Sequence, residues 1–236
     1  MLASSSTTLW YTTRATGIVA LVLLTATLVL GILTAGRARA RSWPAFAQAD
    51  LHKRVSLMAM IFLTIHVLTA VLDTYVHVGW LAVVVPFTSH YKAFWTGLGT
   101  VGVDLIIAVG ISSALRQRIS ARTWRAIHWL AYGSWPVAMA HSLGMGTDAA
   151  KLWMDAIAAL CVLAVGSALA WRIHDHRRSR ELALAVGAVT RAVPEHHRPA
   201  PVAPSTLKGP SNRKQGAGTT PRRSPTATGL LERDRP

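Results

Sequence analysis

Cysteine is almost absent from this chain: Cys161 is the only one among 236 residues. One thiol excludes an intrachain disulfide framework and any cluster or zinc site built on several thiolates. Cys161 lies inside an apolar run and reads as a small packing residue. Acidic residues are also scarce, 10 against 25 Lys and Arg, giving a formal net charge of +15. Only 15% of residues are charged while 51% are hydrophobic, and the mean hydropathy is +0.34. Such a balance belongs to membrane proteins rather than soluble ones. The positive charge is no nucleic-acid footprint, because 13 of the 25 cations lie from Arg172 onward and nearly all the others sit between apolar runs. That placement is a topology signal. The first residues lack a charged region followed by a small-residue cleavage site, so no removable signal peptide is expected.

What is present is a series of long apolar stretches. Segment 1–14 is polar, with Trp10 and Tyr11 suited to a membrane interface. The uncharged run from Ala15 to Ala35 is the length of one transmembrane helix and stops at a basic stretch, Gly36 to Arg41. Further spans are expected over Leu51 to Val76, with Asp50 as N-cap, and over Trp95 to Leu115. Two more follow, Trp124 to Leu143 and Leu152 to Trp171. The predicted fold is therefore an all-α membrane protein of about five transmembrane helices in one bundle, covering 15–173. The intervening segment from His77 to Phe94 is too short to span twice and is expected to lie on the outer interface or cap the bundle. Residues 174–236 read as a basic cytoplasmic tail, largely disordered from 194 onward and attracted to anionic lipid. Glu181 to Val193 within it is a candidate short amphipathic helix on the inner leaflet.

Lys and Arg counts orient the bundle. The stretch 37–54 carries Arg37, Arg39, Arg41, Lys53 and Arg54, and 116–125 carries Arg116, Arg118, Arg122 and Arg125. The opposite loops carry only Lys92 and Lys151. By the positive-inside rule, the N-terminus lies outside a plasma membrane and the C-terminus in the cytoplasm. The second and fourth spans both follow cytoplasmic loops, so they run parallel.

Those two spans carry the chemistry. His52 and His66 are 14 positions apart, and His128 and His141 are 13 apart. Along a helix either separation is about 20 Å. On parallel spans, His52 and His128 share the inner level while His66 and His141 share the outer one. Ionisable side chains inside a membrane are costly and functional by default. Two imidazoles at one depth on neighbouring helices can take the two axial positions of one haem iron, and the chain offers that arrangement twice. No carboxylate or thiolate recurs beside the histidines, as a zinc or di-iron site would want. Lys53, Arg54 and Arg125 inside, and Arg14 outside, stand where haem propionates would emerge. The same four residues suit the plain role of topology markers and interface snorkellers. One geometric conflict is visible: 14 residues return a helix to within about 40° of one face, whereas 13 leave it about 140° away. Pro136, which removes the hydrogen bond to the Tyr132 carbonyl, is the expected place for a kink that restores the facing.

Together with these spacings, HVLTAVLDTYVHVGW (His66 to Trp80), VPFTSHY (Val85 to Tyr91), WRAIHWLAY (Trp124 to Tyr132) and AHSLGMGTD (Ala140 to Asp148) resemble the ferric reductase-like transmembrane domain over roughly 8–173. That superfamily includes ferric reductases, NADPH oxidase membrane domains and the haem subunit of the methionine sulfoxide reductase system. The resemblance implies two haems b, an inner one on His52 and His128 and an outer one on His66 and His141. It also implies transfer of electrons from the cytoplasmic side to an acceptor outside, either ferric iron or a partner protein. After Trp171 there is no strand alternation or Gly-rich phosphate loop of the flavin and nicotinamide domains seen in the oxidases. A separate flavoprotein or membrane quinol is thus the expected donor, and the chain the electron-transfer subunit of a multi-protein oxidoreductase. The rival readings are a histidine-dependent proton or divalent-metal transporter, and a membrane anchor with a recruiting tail. The transporter lacks support from an inverted repeat, and the anchor leaves the matched histidines unexplained.

Other polar residues stay open at this level. Asp104, inside the third span, is expected to pair, by hydrogen-bonding an outer imidazole, relaying protons or linking helices. Asp73, Tyr75, His77, His90 and Asp148 gather at the outer mouth, as a docking or metal-binding rim or as plain surface. Gly17, Gly31, Gly99, Gly102 and Gly110 permit close approach of a neighbouring helix or of a porphyrin. Trp129 and Trp135 neighbour the histidines.

Overall fold

The computed structural model describes residues 2–36, 44–73, 78–145 and 152–192. Tyr75, His77, Asp148, His196, His197, the basic loop residues Arg37, Arg39 and Arg41, Lys151 and the tail from 193 lie outside the described residues. Among the described residues every regular element is a helix: α1 (Leu2–Ala35), α2 (Ala45–Leu72), a single turn α3 (Leu81–Val84), α4 (Ala93–Ala114), α5 (Ala121–His128), α6 (Leu130–Met145) and α7 (Leu152–Ala192). With no water in a bilayer core, a spanning backbone must satisfy its own hydrogen bonds, and a helix does so within one segment.

Four of these helices, α1, α2, α4 and α7, are long and apolar enough to cross a membrane. The chain is a multi-pass, all-α membrane protein. The count differs from the five spans expected because Trp124 to Leu143 is not one helix. It is divided at Trp129 into α5 and α6; α6 alone has 16 residues, about 24 Å of rise and short of the ~30 Å hydrocarbon core, so α5 and α6 together make the fourth of the five spans. Ser120 starts α5, its hydroxyl accepting from the Thr123 N–H at 3.1 Å. The helix passes through Pro136 unbroken, so the interruption lies seven residues earlier than the proline suggested.

Other boundaries moved as well. α2 begins after Pro44, and Asp50 lies inside it, holding Arg54 at 2.6 Å one turn on, rather than capping it. α1 extends upstream to Leu2, through a Thr-rich segment in which the Thr12 hydroxyl bonds back to the Thr8 carbonyl at 2.8 Å. α7 runs on from the apolar stretch through the Arg-rich stretch to Ala192 without a break. The segment from Glu181 is therefore a continuation of that helix, its Leu182, Leu184 and Val186 exposed, and not a separate element.

Two helix pairs make the bundle. α1 lies along α2, and α4 lies along α6, with α1 joining the pairs through α6. Leu21, Met139, Ala158 and Cys161 form one buried cluster, and Leu28, Ile32, Val165 and Ala168 a second, so α7 closes over α1. Trp135 borders both clusters and donates its indole N–H to the Thr25 hydroxyl at 2.9 Å. Arg172 reaches the Ile32 carbonyl at 3.2 Å near the C-terminal end of α1. Large apolar side chains such as Leu57, Leu160 and Leu163 point outward. Lipid is as apolar as leucine, so these helices associate by close packing and a few polar links rather than by withdrawing apolar surface from water.

Candidate haem-binding site

The four histidines come from α2, α5 and α6 and meet as two pairs. The ring centres of His52 and His128 are 6.5 Å apart with planes at 66°. Those of His66 and His141 are 6.3 Å apart at 79°. The pairs occur in the same order along α2 and along α5–α6, so these stretches run in the same direction. The 13-residue spacing does not keep His128 and His141 from meeting the two rings of α2, and the stretch between them is interrupted at Trp129. There the turn tightens, with Tyr132 N–H bonding to the Trp129 carbonyl at 3.0 Å.

Three imidazoles are held from behind. The Nδ1 of His66 lies 2.8 Å from the Thr13 carbonyl, that of His52 3.0 Å from the Thr27 carbonyl, and that of His141 2.7 Å from the Trp95 carbonyl. A carbonyl can only accept, so each Nδ1 carries the proton and each Nε2 keeps a lone pair for a metal. The fourth ring differs. His128 Nδ1 is buried without a hydrogen-bond partner, and the ring stacks on Trp124 at 4.8 Å and 24°. Arg116 covers Trp124 in turn, 4.6 Å from the ring centre.

The spacing within each pair has a direct chemical reading. An imidazole nitrogen lies about 2 Å from a bound first-row metal and about 1.1 Å from its own ring centre, so two imidazoles on opposite sides of one ion put their centres about 6.2 Å apart. Both observed values fall close to that. Among the described residues no three His, Cys, Asp or Glu side chains gather as a metal-holding group. Two imidazoles alone are a poor cage for a bare ion, which takes four or more ligands, and a good axial pair for an ion already held in a plane. A cavity of about 280 Å³ beside the outer pair is lined by His66, His141, Gly17, Gly99, Arg14 and Tyr91, among others. The donor set fits a porphyrin iron at both pairs, and open space adjoins the His66–His141 pair.

The basic residues divide. Arg14 lines this cavity, its guanidinium 4.3 Å over the Trp10 ring. Lys53, Arg54 and Arg125 are exposed; Arg54 is held by Asp50 and Arg125 by the Ala121 carbonyl at 3.1 Å. Asp104 is exposed on α4, and the Nδ1 atoms of His66 and His141 both meet backbone carbonyls, so hydrogen-bonding one of those Nδ1 atoms, one of the roles open to Asp104, is not the one it fills. Trp129 is 65% exposed, whereas Trp135 is packed between the two levels. Asp73 is buried and lines the cavity; His90, His174 and His176 are exposed. The segment around α3 packs on α4, with the Ala82 carbonyl accepting from the Thr100 hydroxyl at 2.6 Å. Sequence reasoning missed the three backbone carbonyls and the Trp124 stack, because backbone acceptors leave no residue signature.

Comparison with known families decides the broader question. The family described as ferric reductase like transmembrane component matches residues 16–139, more than half of the chain. The protein belongs to that family. Ferric reductase transmembrane domains generally bind haem, and this membership makes the chain a membrane oxidoreductase-type electron-transfer component. The match takes in His52, His66 and His128 and ends two residues before His141; Arg14 also precedes it. It is narrower than the 8–173 expected. No curated protein and no solved structure matches the chain significantly.

Proposed function

We propose that this chain is a dihaem b-type membrane cytochrome, passing electrons from the cytoplasmic side of the plasma membrane to an acceptor outside. The observation that carries the reading is the pair of ring separations, 6.5 and 6.3 Å, at two levels of one bundle. His52 and His128 hold the inner haem, and His66 and His141 the outer one. Haem iron supplies a one-electron couple whose potential follows its axial ligands and surroundings. The chain's own part is to supply two imidazoles to each group, which would hold a haem iron from both sides and exclude oxygen from it. It also keeps each Nε2 lone pair turned inward by tethering Nδ1, and surrounds the rings with apolar helix. Arg14 receives an outer propionate, and Lys53, Arg54 and Arg125 serve the inner end. The N-terminus lies outside and the basic tail in the cytoplasm, as the Lys and Arg distribution supports.

The donor is a separate flavoprotein or membrane quinol, and the acceptor is ferric iron or an extracytoplasmic partner protein. The chain then acts as the electron-transfer subunit of a multi-protein oxidoreductase. A bare-metal or proton transporter gains nothing from imidazoles paired at this separation with no third ligand. The test is a dithionite-reduced minus oxidised spectrum of the purified protein, with haem counted per chain. Low-spin b-type bands at two haems per chain are expected, and the near-perpendicular ring planes should give a strongly anisotropic ferric electron-spin resonance. A colourless protein would refute the reading. Adding quinol, or nicotinamide with a flavoprotein, then distinguishes the donors.

A further inference from the structure

Each tethered histidine meets its carbonyl at a glycine. The Thr13 carbonyl that holds His66 is followed four residues later by Gly17, the Thr27 carbonyl of His52 by Gly31, and the Trp95 carbonyl of His141 by Gly99. In an α-helix the carbonyl of residue n already accepts from the N–H of n+4, and its second lone pair is open only to something arriving from the side. The Cβ of n+4 tilts towards the helix N-terminus and leans over that carbonyl. A glycine leaves the approach clear.

The geometry bears this out firmly at Gly99 and Gly17; at Gly31 a Cβ would stand at ordinary van der Waals contact, so the clearance there is the least demanding of the three. A Cβ on Gly99 would stand 2.6 Å from His141 Cε1 and 2.7 Å from Nδ1. On Gly17 it would stand 2.8 and 2.9 Å from the same atoms of His66, and on Gly31 3.4 Å from His52 Cε1. Gly17 and Gly31 are 14 residues apart, as are His52 and His66, so antiparallel α1 presents both notches to α2. α4 has one notch only. Fourteen residues beyond Trp95 stands Val109, whose carbonyl accepts from the Ser112 hydroxyl at 2.9 Å, and four beyond Val109 stands Ser113 instead of glycine. His128 is the ring left with a buried, unpartnered Nδ1.

We propose that Gly17, Gly31 and Gly99 are positioning residues, each opening a helix carbonyl that sets the tautomer and orientation of one haem-ligating imidazole, and that His128, without such a notch, is oriented by stacking on Trp124. This rests on the haem assignment above and adds what aims three of the four ligands. Each notch acts on one level only: Gly17 and Gly99 on the outer pair, Gly31 on the inner.

The test uses the full chain purified in detergent, as Gly17→Ala, Gly31→Ala and Gly99→Ala. Alanine in a helix interior otherwise favours the helix over glycine, so a purely structural role predicts equal or higher thermal stability with both haems unchanged. The notch predicts a shifted or lost low-spin ferric resonance and a raised midpoint potential, because an imidazole that loses its Nδ1 acceptor is a weaker donor to ferric iron. The outer signal should change in Gly17→Ala and Gly99→Ala, more in the latter, and the inner signal in Gly31→Ala, least of the three. The unaffected haem in each variant reports that the bundle has folded. Both haems unchanged in all three variants, or both lost together from each, would overturn the notch while leaving a two-haem parent protein and its proposed function standing. A parent protein without haem would overturn both.

Discussion

The outer and inner histidine pairs are built to one plan and finished differently. At the outer level both imidazoles are tethered to backbone carbonyls, at 2.8 and 2.7 Å, and the cavity beside them is roofed by the segment around Ala82. At the inner level only His52 has its tether, and His128 leans on Trp124 beneath Arg116. Backbone carbonyls belong to rigid helices and move little, whereas a stacked indole is one side chain held by another. The outer level therefore gains its order from the helices themselves, and the inner level from side-chain packing near the end of the bundle.

The comparison breaks hardest at the ligands. His141→Ala should halve the haem content, abolish the outer resonance and stop transmembrane electron transfer, leaving the inner haem in place; haem counting and a redox titration check this. A variant that lost neither haem would dissolve the distinction between the levels. Trp124→Leu should come next. It is expected to broaden and shift the inner resonance alone, since His128 loses the surface that orients it, and the outer resonance serves as the control. A third variant addresses what holds the levels together. Thr25→Val removes the acceptor of the Trp135 indole N–H between α1 and α6, and should cost roughly 1 kcal/mol, read as a lower unfolding temperature with both haems retained. The smallest effect is expected for Arg54→Ala. Its ion pair with Asp50 joins side chains that are 76% and 55% exposed, and such exposed i,i+4 pairs contribute about 0.5 kcal/mol or less. Because Arg54 is one of three cations proposed to serve the inner end, a small shift of the inner potential alone is expected, with the outer signal unmoved.

Much of this plan is legible along the chain. The apolar runs, the two matched histidine spacings and the basic loops point to parallel spans with two levels, because helical rise and the positive-inside rule act on one segment at a time. The failures share a cause. The fourth span looked continuous because hydropathy has no term for the tightened turn at Trp129. The kink was expected at Pro136 because proline is the residue that announces one. Asp104 was expected to be buried, and so to pair or stay protonated, because it stands within an apolar span, yet its side of α4 is exposed.

The sequence by itself determined that this protein is a helical membrane bundle and that its four histidines fall in two matched intervals along the chain, since both follow from composition and a fixed rise per residue. Which way the rings face, and what holds them, was decided only in the tertiary structure. Facing is the sum of rotations across an interruption, and the tethers are carbonyls offered by a different helix at places where glycine leaves them uncovered.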